Sequence, residues 1–235
     1  MVQATQNIWT NANFYDKIAF HSDIFFMPLE ATHIKFALDK KNKYHVQDLS
    51  KYLSGSVYPD SRYVTKISRK LTHSDDSLLS DFGVDDFKKG WASHFLCDKL
   101  WVQAIDNNFP EIFENDESRD WGSEHWLKNT ALKNILDLEA LKMFDIKNYL
   151  LLLVDTSCPN GESVEQIQEY YKMIRELYVA SQEVAIDDLK LMWIRLGIGG
   201  ELAEKVTEKS REFASKPELV KKIREQYENM LNLPV

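Results

Sequence analysis

Along most of this chain, apolar residues recur at steps of three and four, the spacing that places side chains on one face of an α-helix. The clearest example covers residues 84–107, where Phe87, Trp91, Trp101 and Ile105 fall on one stripe. The lysines of the same stretch fall on its other faces. We therefore predict one long amphipathic helix here, with its apolar stripe facing the core.

Weaker versions of this pattern predict helices through most of the remaining sequence. These helices cover residues 26–38, 46–54, 61–71 and 119–144, and three or four more lie between residues 162 and 232. We expect Gly55 to end the second of them and Pro59 to stiffen the loop that follows. Turn-rich sequences at 155–161 and 197–200 interrupt the C-terminal half. Helix is therefore expected to be the main regular structure.

The composition favours a single helical domain with a sizeable core. Of the 235 residues, 44% are hydrophobic and 12% aromatic, more apolar material than a disordered chain carries. Only 8 glycines and 6 prolines interrupt the chain, few for a β protein with its many tight turns. We predict an all-α multi-helix bundle forming one domain, residues 1–235. Residues 162–235 contain no histidine or cysteine, so we expect packing helices there rather than metal ligands.

The net charge of −8 bears on partners and location. An acidic protein lacks the basic surface that displaces counterions from phosphates, so no extended nucleic-acid surface is expected. The longest apolar run, residues 149–154, is far shorter than the ~20 residues that cross a bilayer, and no signal-peptide pattern begins the chain. Cys97 and Cys158 alone give no disulfide framework. A cytoplasmic location is expected, and the sequence leaves the oligomeric state open.

Two polar residues, His94 and Asp98, fall on the apolar stripe of the helix predicted at 84–107. They are one helical turn apart and can face the same point. Because burying an unpaired carboxylate costs several kcal/mol, Asp98 requires a cation or hydrogen-bond donors nearby. A hydrogen-bonded His–Asp pair in the core and a pair of metal ligands both meet this requirement.

Three further residues have side chains of the type that binds metals. His33 lies on a helix that is apolar on most sides, Asp60 lies in the loop before the helix at 61–71, and His73 lies at the end of that helix. Each has a simpler explanation taken alone, namely a hydrogen-bonded core histidine, a helix N-cap and a favourable charge on a helix dipole. The occurrence of all of them with a buried His–Asp pair favours a metal site.

Four short motifs follow one another along the chain: ATH at 31–33, YPD at 58–60, LTH at 71–73 and GWASHFLCD at 90–98. In residue type and order they resemble the zinc-dependent phospholipase C and single-strand-specific nuclease superfamily, most closely its short cytosolic bacterial branch. The resemblance covers roughly residues 27–105. It implies a multi-helix bundle around a buried metal site.

The resemblance also implies a ligand set. It assigns one metal ion to Asp60, His73, His94 and Asp98, and it makes Asp98 a bridge to a second ion that His33 also binds. Two histidines and two aspartates without cysteine suit zinc, and also manganese, iron(II) or nickel. We therefore expect one or two ions of zinc or of one of these metals.

The sequence departs from the superfamily at two places. Secreted members use a processed N-terminal tryptophan as a ligand, whereas this chain begins with Met1. They also hold another ion with a histidine and a glutamate four residues later, whereas here His125 is followed at that position by Asn129. Asp120, Glu124 and His125 form either a reduced site or a solvated helix face.

These residues predict a metal-dependent hydrolase of a small-molecule or lipid-type phosphoester. One or two ions would polarise a phosphoryl oxygen and activate water, with Asp60 or the ion itself serving in place of a separate general base. Arg62, two residues after Asp60, is predicted to hold a phosphate oxygen, because a guanidinium matches phosphate geometry.

Two other functions stay open. In one, the metal only stabilises the fold of a non-catalytic helical protein. In the other, iron at the same site supports a redox reaction. Glu30 and His33 match the Glu-x-x-His element of helical di-iron proteins, but those proteins need two such elements and the chain has no second copy.

Overall fold

The computed structural model describes residues 29–73, 85–114, 116, 118–179 and 184–232. Every regular element within these residues is a helix. The helices are α1 (Glu30–Lys40), α2 (Leu49–Val57), a 3-10 turn (Tyr58–Ser61), α3 (Arg62–Thr65), α4 (Arg69–His73), α5 (Asp86–Asn108), α6 (Pro110–Phe113), α7 (Glu124–Leu141), α8 (Lys147–Leu150), α9 (Val164–Val179), α10 (Ile186–Arg195), α11 (Gly200–Ala214) and α12 (Pro217–Asn232). The prediction of an all-α multi-helix bundle is confirmed.

The helices pack around one shared core. Helix α1 contacts α2, α5 and α7, and the C-terminal helices α11 and α12 pack on α7. Buried apolar side chains from Leu29 to Met230 form a single hydrophobic cluster. The C-terminal helices therefore share their core with the helices that carry the motifs. None of the helices in the described ranges is long and apolar enough to cross a membrane.

The long helix α5 occupies almost the stretch that its apolar stripe predicts. It begins at Asp86, and the Asp85 side chain caps it by accepting a hydrogen bond from the Phe87 backbone at 3.1 Å. The part of the 26–38 prediction that is described agrees with α1, while residues 26–28 lie outside the described residues. The helix predicted at 119–144 begins later, at Glu124, because the Ser123 hydroxyl caps it there.

Gly55 does not end α2, and this prediction is wrong. The helix continues through Gly55 to Val57, and Gly55 is needed for a close helix crossing instead. A Cβ atom at Gly55 would lie 2.0 Å from the Phe87 carbonyl oxygen, and one at Gly90 would lie 1.9 Å from the Tyr52 carbonyl oxygen. Helices α2 and α5 therefore cross with their backbones in contact.

The prediction of a single helix at 61–71 is also wrong, because the chain forms two short helices there, α3 and α4. Lys66, after α3, adopts a left-handed conformation with φ of 63°, which ends that helix. The chain then turns, and α4 begins at Arg69. A straight helix of 11 residues would have separated Asp60 from His73 by about 16 Å. The break at Lys66 lets them approach each other.

The C-terminal half agrees with the sequence pattern. Four helices, α9 to α12, follow the turn-rich stretch at 155–161. The interruption predicted at 197–200 separates α10 from α11, and Gly197 has a positive φ of 93° there. The helices that the sequence predicts for this segment are therefore present in its described part.

Candidate metal centre

Four helical elements bring the five predicted ligands together inside the bundle. His33 comes from α1, Asp60 from the 3-10 turn, His73 from the last residue of α4, and His94 and Asp98 from successive turns of α5. None of the five is more than 8% exposed, and Asp60 is completely buried. The candidate centre therefore lies in the core.

Short distances through His73 and His94 connect four of these residues. His73 Nε2 lies 3.3 Å from His94 Nε2 and 3.6 Å from Asp60 Oδ1. His94 Nε2 lies 3.7 Å from Asp98 Oδ2 and 3.9 Å from Asp60 Oδ2. Two ligands of one tetrahedral zinc ion, each about 2.0–2.1 Å from it, are roughly 3.3 Å apart. The pairwise distances are thus close to ligand spacing, but the four residues do not form one group: His73, His94 and Asp98 belong together, and Asp60 groups with His33 and His94.

The two oxygens of Asp98 face different histidines. Oδ1 lies 3.6 Å from His33 Nε2, while Oδ2 lies 3.8 Å from His73 Nε2 and faces His94 as well. The His33 ring also stacks on the His94 ring, with centroids 3.6 Å apart. In the described part of the chain, two overlapping three-residue groups have ligand spacing: His33, Asp60, His94 and His73, His94, Asp98. The two groups share His94, whereas Asp98 belongs to the second group and reaches His33 through its Oδ1. The bridge that the resemblance assigns to Asp98 stays a prediction.

Hydrogen bonds on the far side of two rings orient them toward the cluster. His94 Nδ1 lies 2.8 Å from the Ser56 carbonyl oxygen, which can only accept, so Nδ1 carries the proton and Nε2 presents a lone pair. His73 Nδ1 lies 2.8 Å from the Thr72 hydroxyl, which can accept from it in the same way. Metal-binding histidines have this second hydrogen bond as a rule.

Several buried atoms of the cluster have no hydrogen-bond partner. They are both carboxylate oxygens of Asp60, both of Asp98 and both ring nitrogens of His33. Leaving buried polar atoms unsatisfied is costly, and for a carboxylate the cost is several kcal/mol. A cation between these residues would satisfy carboxylate oxygens of Asp60 and Asp98 and one ring nitrogen of His33. The residues present therefore fit a transition-metal ion.

The titration behaviour of the cluster agrees with this fit. Burial lowers the pKa of His33 and His73 well below the ordinary value, and it lowers the pKa of His94 to about 4. The three rings are thus neutral near pH 7, which is the form that binds metals. Burial, followed by the charges of Asp98 and Glu30, raises the pKa of Asp60 well above its usual range. A bound cation would reverse that shift.

Two arginines, Arg62 and Arg69, lie beside the cluster. The Arg62 guanidinium stacks 4.0 Å from the centre of the Tyr63 ring and donates a hydrogen bond to the Tyr63 hydroxyl. The charge of Arg62 acts on Asp60, and the charge of half-buried Arg69 acts on both Asp60 and Asp98. Positive charge thus surrounds the carboxylates on the side of α3 and α4.

Two buried charged residues near the cluster were not predicted. Glu30 is 1% exposed and Lys133 is 2% exposed. Burial lowers the pKa of Lys133 to about 8, while the carboxylates of Asp60 and Asp98 favour its charged form. The sequence signal was weak: Glu30 precedes His33 by one helical turn, and Lys133 lies in an otherwise apolar stretch of α7.

The reduced site considered at Asp120, Glu124 and His125 does not form. His125 Nδ1 faces Asp116 at 3.7 Å and its ring packs on Phe113 at 4.4 Å. Glu124 faces Lys209, and Asp120 accepts a hydrogen bond from Ser118. The solvated-face alternative is wrong for His125 as well, because its side chain is buried. These residues therefore do not extend the centre.

The comparisons with known proteins add no family. No protein-family model, no curated protein and no solved structure matches this chain. The superfamily resemblance thus stays a prediction that rests on the four motifs. The convergence of the five side chains is a separate observation and does not depend on it.

Proposed function

We propose that this protein is a metal-dependent hydrolase that cleaves a phosphoester with one or two transition-metal ions. One observation carries the proposal: five donors from four helical elements meet at ligand spacing in the core, and their carboxylate oxygens accept no hydrogen bond. Zinc suits the donor set, as do manganese, iron(II) and nickel. The substrate class is a small-molecule or lipid-type phosphoester.

The ligand geometry supports a catalytic centre better than a structural one. Structural zinc sites are usually closed, four-coordinate and rich in cysteine. Neither cysteine belongs to the ligand groups found among the described residues. Each of the two ligand groups contains three residues, so an ion in either group would keep a position for water or substrate. Ions in such positions polarise a phosphoryl oxygen and lower the pKa of bound water to about 7.

The surrounding residues have separate tasks in this proposal. Asp60 serves as a ligand, since its two oxygens face His73 and His94 respectively. Arg62 holds the phosphate of the substrate, because a guanidinium pairs with two phosphate oxygens at once. Arg69 adds positive charge on the same side of the cluster. The negative charge of a phosphoester would thus be met by residues of α3 and α4.

The test combines metal analysis with a phosphoester assay. Protein purified without chelator should contain at least one transition-metal ion per chain and should hydrolyse activated phosphomonoesters or phosphodiesters. Chelator and His94→Ala should abolish the activity, and His125→Ala, a buried histidine outside the cluster, should keep it. Arg62→Ala should retain the metal and lose about 10²-fold in rate, whereas the exposed Arg195→Ala should behave as wild type.

The near-complete burial of the ligands favours one alternative, a metal that only staples the bundle. In that case the protein would bind metal stoichiometrically, lose stability on chelation and hydrolyse none of the phosphoesters. Turnover of another substrate with iron and oxygen would instead support the redox function. Protein without any bound metal, in which the five side chains point apart, would overturn the proposal.

A further inference from the structure

Glu30 is a buried carboxylate that the ligand set does not use. It lies on α1, one helical turn before His33, and is 1% exposed. Its Oε1 accepts a hydrogen bond from the Tyr170 hydroxyl at 2.9 Å. Its Oε2 is buried and accepts no hydrogen bond. The Oε1 atom of this carboxylate is thus bound by a tyrosine of α9, and its Oε2 atom has no hydrogen-bond donor.

Asp137 provides a comparison inside the same protein. It is also completely buried and also bound by a tyrosine, because Tyr178 donates to Oδ2 at 2.8 Å. Its Oδ1 accepts from both the backbone and the hydroxyl of Thr32, at 2.7 and 3.0 Å. Burial raises the pKa of Glu30 and of Asp137 to about 7 in each case. The two carboxyls therefore differ mainly in the free oxygen of Glu30.

The position of Glu30 relates it to the candidate metal centre. Its charge raises the pKa of Asp60, so the two carboxylates are electrostatically coupled. Glu30 nevertheless belongs to neither ligand group, whose donor atoms lie within 4.8 Å of one another. The other ionisable groups that act on it are Asp137 from α7 and the two tyrosines of α9, Tyr170 and Tyr178. Because Glu30 and His33 are buried residues one turn apart on α1, the free oxygen of Glu30 is suited to contact the centre through one water molecule.

We propose that Glu30 is a positioning residue: its free Oε2 accepts a hydrogen bond from the water that the metal centre holds and orients that water. The inference rests on the metal centre of the proposed function. Residues of this kind, one layer outside the ligands, commonly tune metal sites. The proposed role also gives a hydrogen-bond partner to the Oε2 atom of Glu30, which would otherwise remain unsatisfied in the core.

The test uses Co²⁺ in place of the native metal, because its visible absorption changes when bound water loses a proton. Wild type, Glu30→Gln and Asp137→Asn are loaded with Co²⁺ and titrated with base. Glutamine keeps an acceptor for Tyr170 but removes the negative charge beside the water, so the midpoint should fall by about one pH unit or more. Asp137→Asn should lower the melting temperature and leave the midpoint unchanged.

The outcomes separate a failure of the metal centre from a failure of the role proposed for Glu30. Wild type that takes up no Co²⁺ overturns the centre and the inference with it. Normal uptake with an unchanged midpoint in Glu30→Gln overturns the role of Glu30 alone, and loss of Co²⁺ in that variant makes Glu30 a ligand instead. Should Glu30→Gln fail to fold, Glu30→Asp replaces it, since the shorter carboxylate should shift the midpoint in the same direction by less.

Discussion

Asp98 connects the two halves of the candidate centre, because its oxygens face histidines on opposite sides. Oδ2 points to His73 and His94, and Oδ1 points to His33. Its side chain is 11% exposed, which leaves a narrow approach from solvent. At the scale of single residues, Asp98 thus faces three histidines of the centre, and His94 is the residue common to both ligand groups.

We therefore expect Asp98→Ala to be more damaging than His33→Ala. Alanine at 98 removes the oxygens that face three histidines and leaves His94 stranded in the core, whereas alanine at 33 removes one ligand of the second ion. Elemental analysis should find almost no metal in the first variant and a loss of no more than one ion per chain in the second. The melting temperature should fall further for Asp98→Ala. Equal and mild effects would contradict the bridging role.

The five residues of the candidate centre could be named from the sequence, and the residues around them could not. His94 and Asp98 follow from helical periodicity, and the other three from their residue types and from the resemblance of their motifs to the superfamily. Glu30 is buried because Tyr170, 140 positions later, covers it. Contacts at that separation depend on tertiary packing, which no local pattern records. A buried charge such as Glu30 is therefore found only when the fold is known.

At the scale of helices, the crossing of α2 and α5 sets the geometry of the centre. The glycines at the crossing let the two backbones touch, and the Ser56 carbonyl then lies within 2.8 Å of His94 Nδ1. Local rules treat a glycine near a helix end as a stop signal. Gly55 instead allows the close contact with α5, which the local rule did not predict. The turn at Lys66 was not predicted either.

Gly90→Ala should separate the two helices and weaken the centre. The added Cβ would lie 1.9 Å from the Tyr52 carbonyl oxygen, and backbone cannot yield as a flexible side chain does. We expect a loss of about 1–3 kcal/mol in the free energy of unfolding and weaker metal binding, as the bond from Ser56 to His94 is stretched. Urea unfolding and metal titration measure the two effects.

The matched control is Gly200→Ala, because a Cβ there meets no atom within 4 Å. This glycine begins α11, far in sequence from the crossing. Its replacement should leave metal binding unchanged and keep or slightly raise stability, since alanine favours helix. If both variants behaved alike, the close crossing would not be what holds the centre together.

At the scale of the whole molecule, the C-terminal helices bind buried carboxylates of α1 and α7. Tyr170 and Tyr178 of α9 hold the carboxylates of Glu30 and Asp137. Asp187 and Asp188, possible ligands by type, pair instead with Arg211 and with the backbone of Ala185, respectively. That residues 162–235 pack and supply no metal ligand stays a prediction, and residues 180–183 and 233–235 lie outside the described residues. The tyrosine contacts themselves could not be foreseen.

The centre should couple metal binding to pH through Asp60 rather than through the histidines. The pKa of His94 is lowered to about 4 and those of His33 and His73 are lowered well below the ordinary value, so in the folded protein these rings are neutral near pH 7. Asp60, whose pKa is raised, must instead release a proton when a metal binds below that pKa. In the pH window where the rings are neutral and Asp60 is protonated, metal binding therefore expels one proton.

Metal affinity should consequently rise with pH across this window. Each pH unit below the pKa of Asp60 should change the apparent Kd for Zn²⁺ by up to about tenfold, and the stabilisation at fixed Zn²⁺ by up to about 1.4 kcal/mol. Competition with a chromophoric chelator between pH 5.5 and pH 8 gives the Kd, and melting with Zn²⁺ or EDTA gives the stability. Asp60→Asn should bind more weakly and show little of this dependence. A wild-type Kd that stays constant above pH 5.5 would mean that Asp60 is already ionised in the metal-free core, with Lys133, Arg62 and Arg69 supplying the balancing charge.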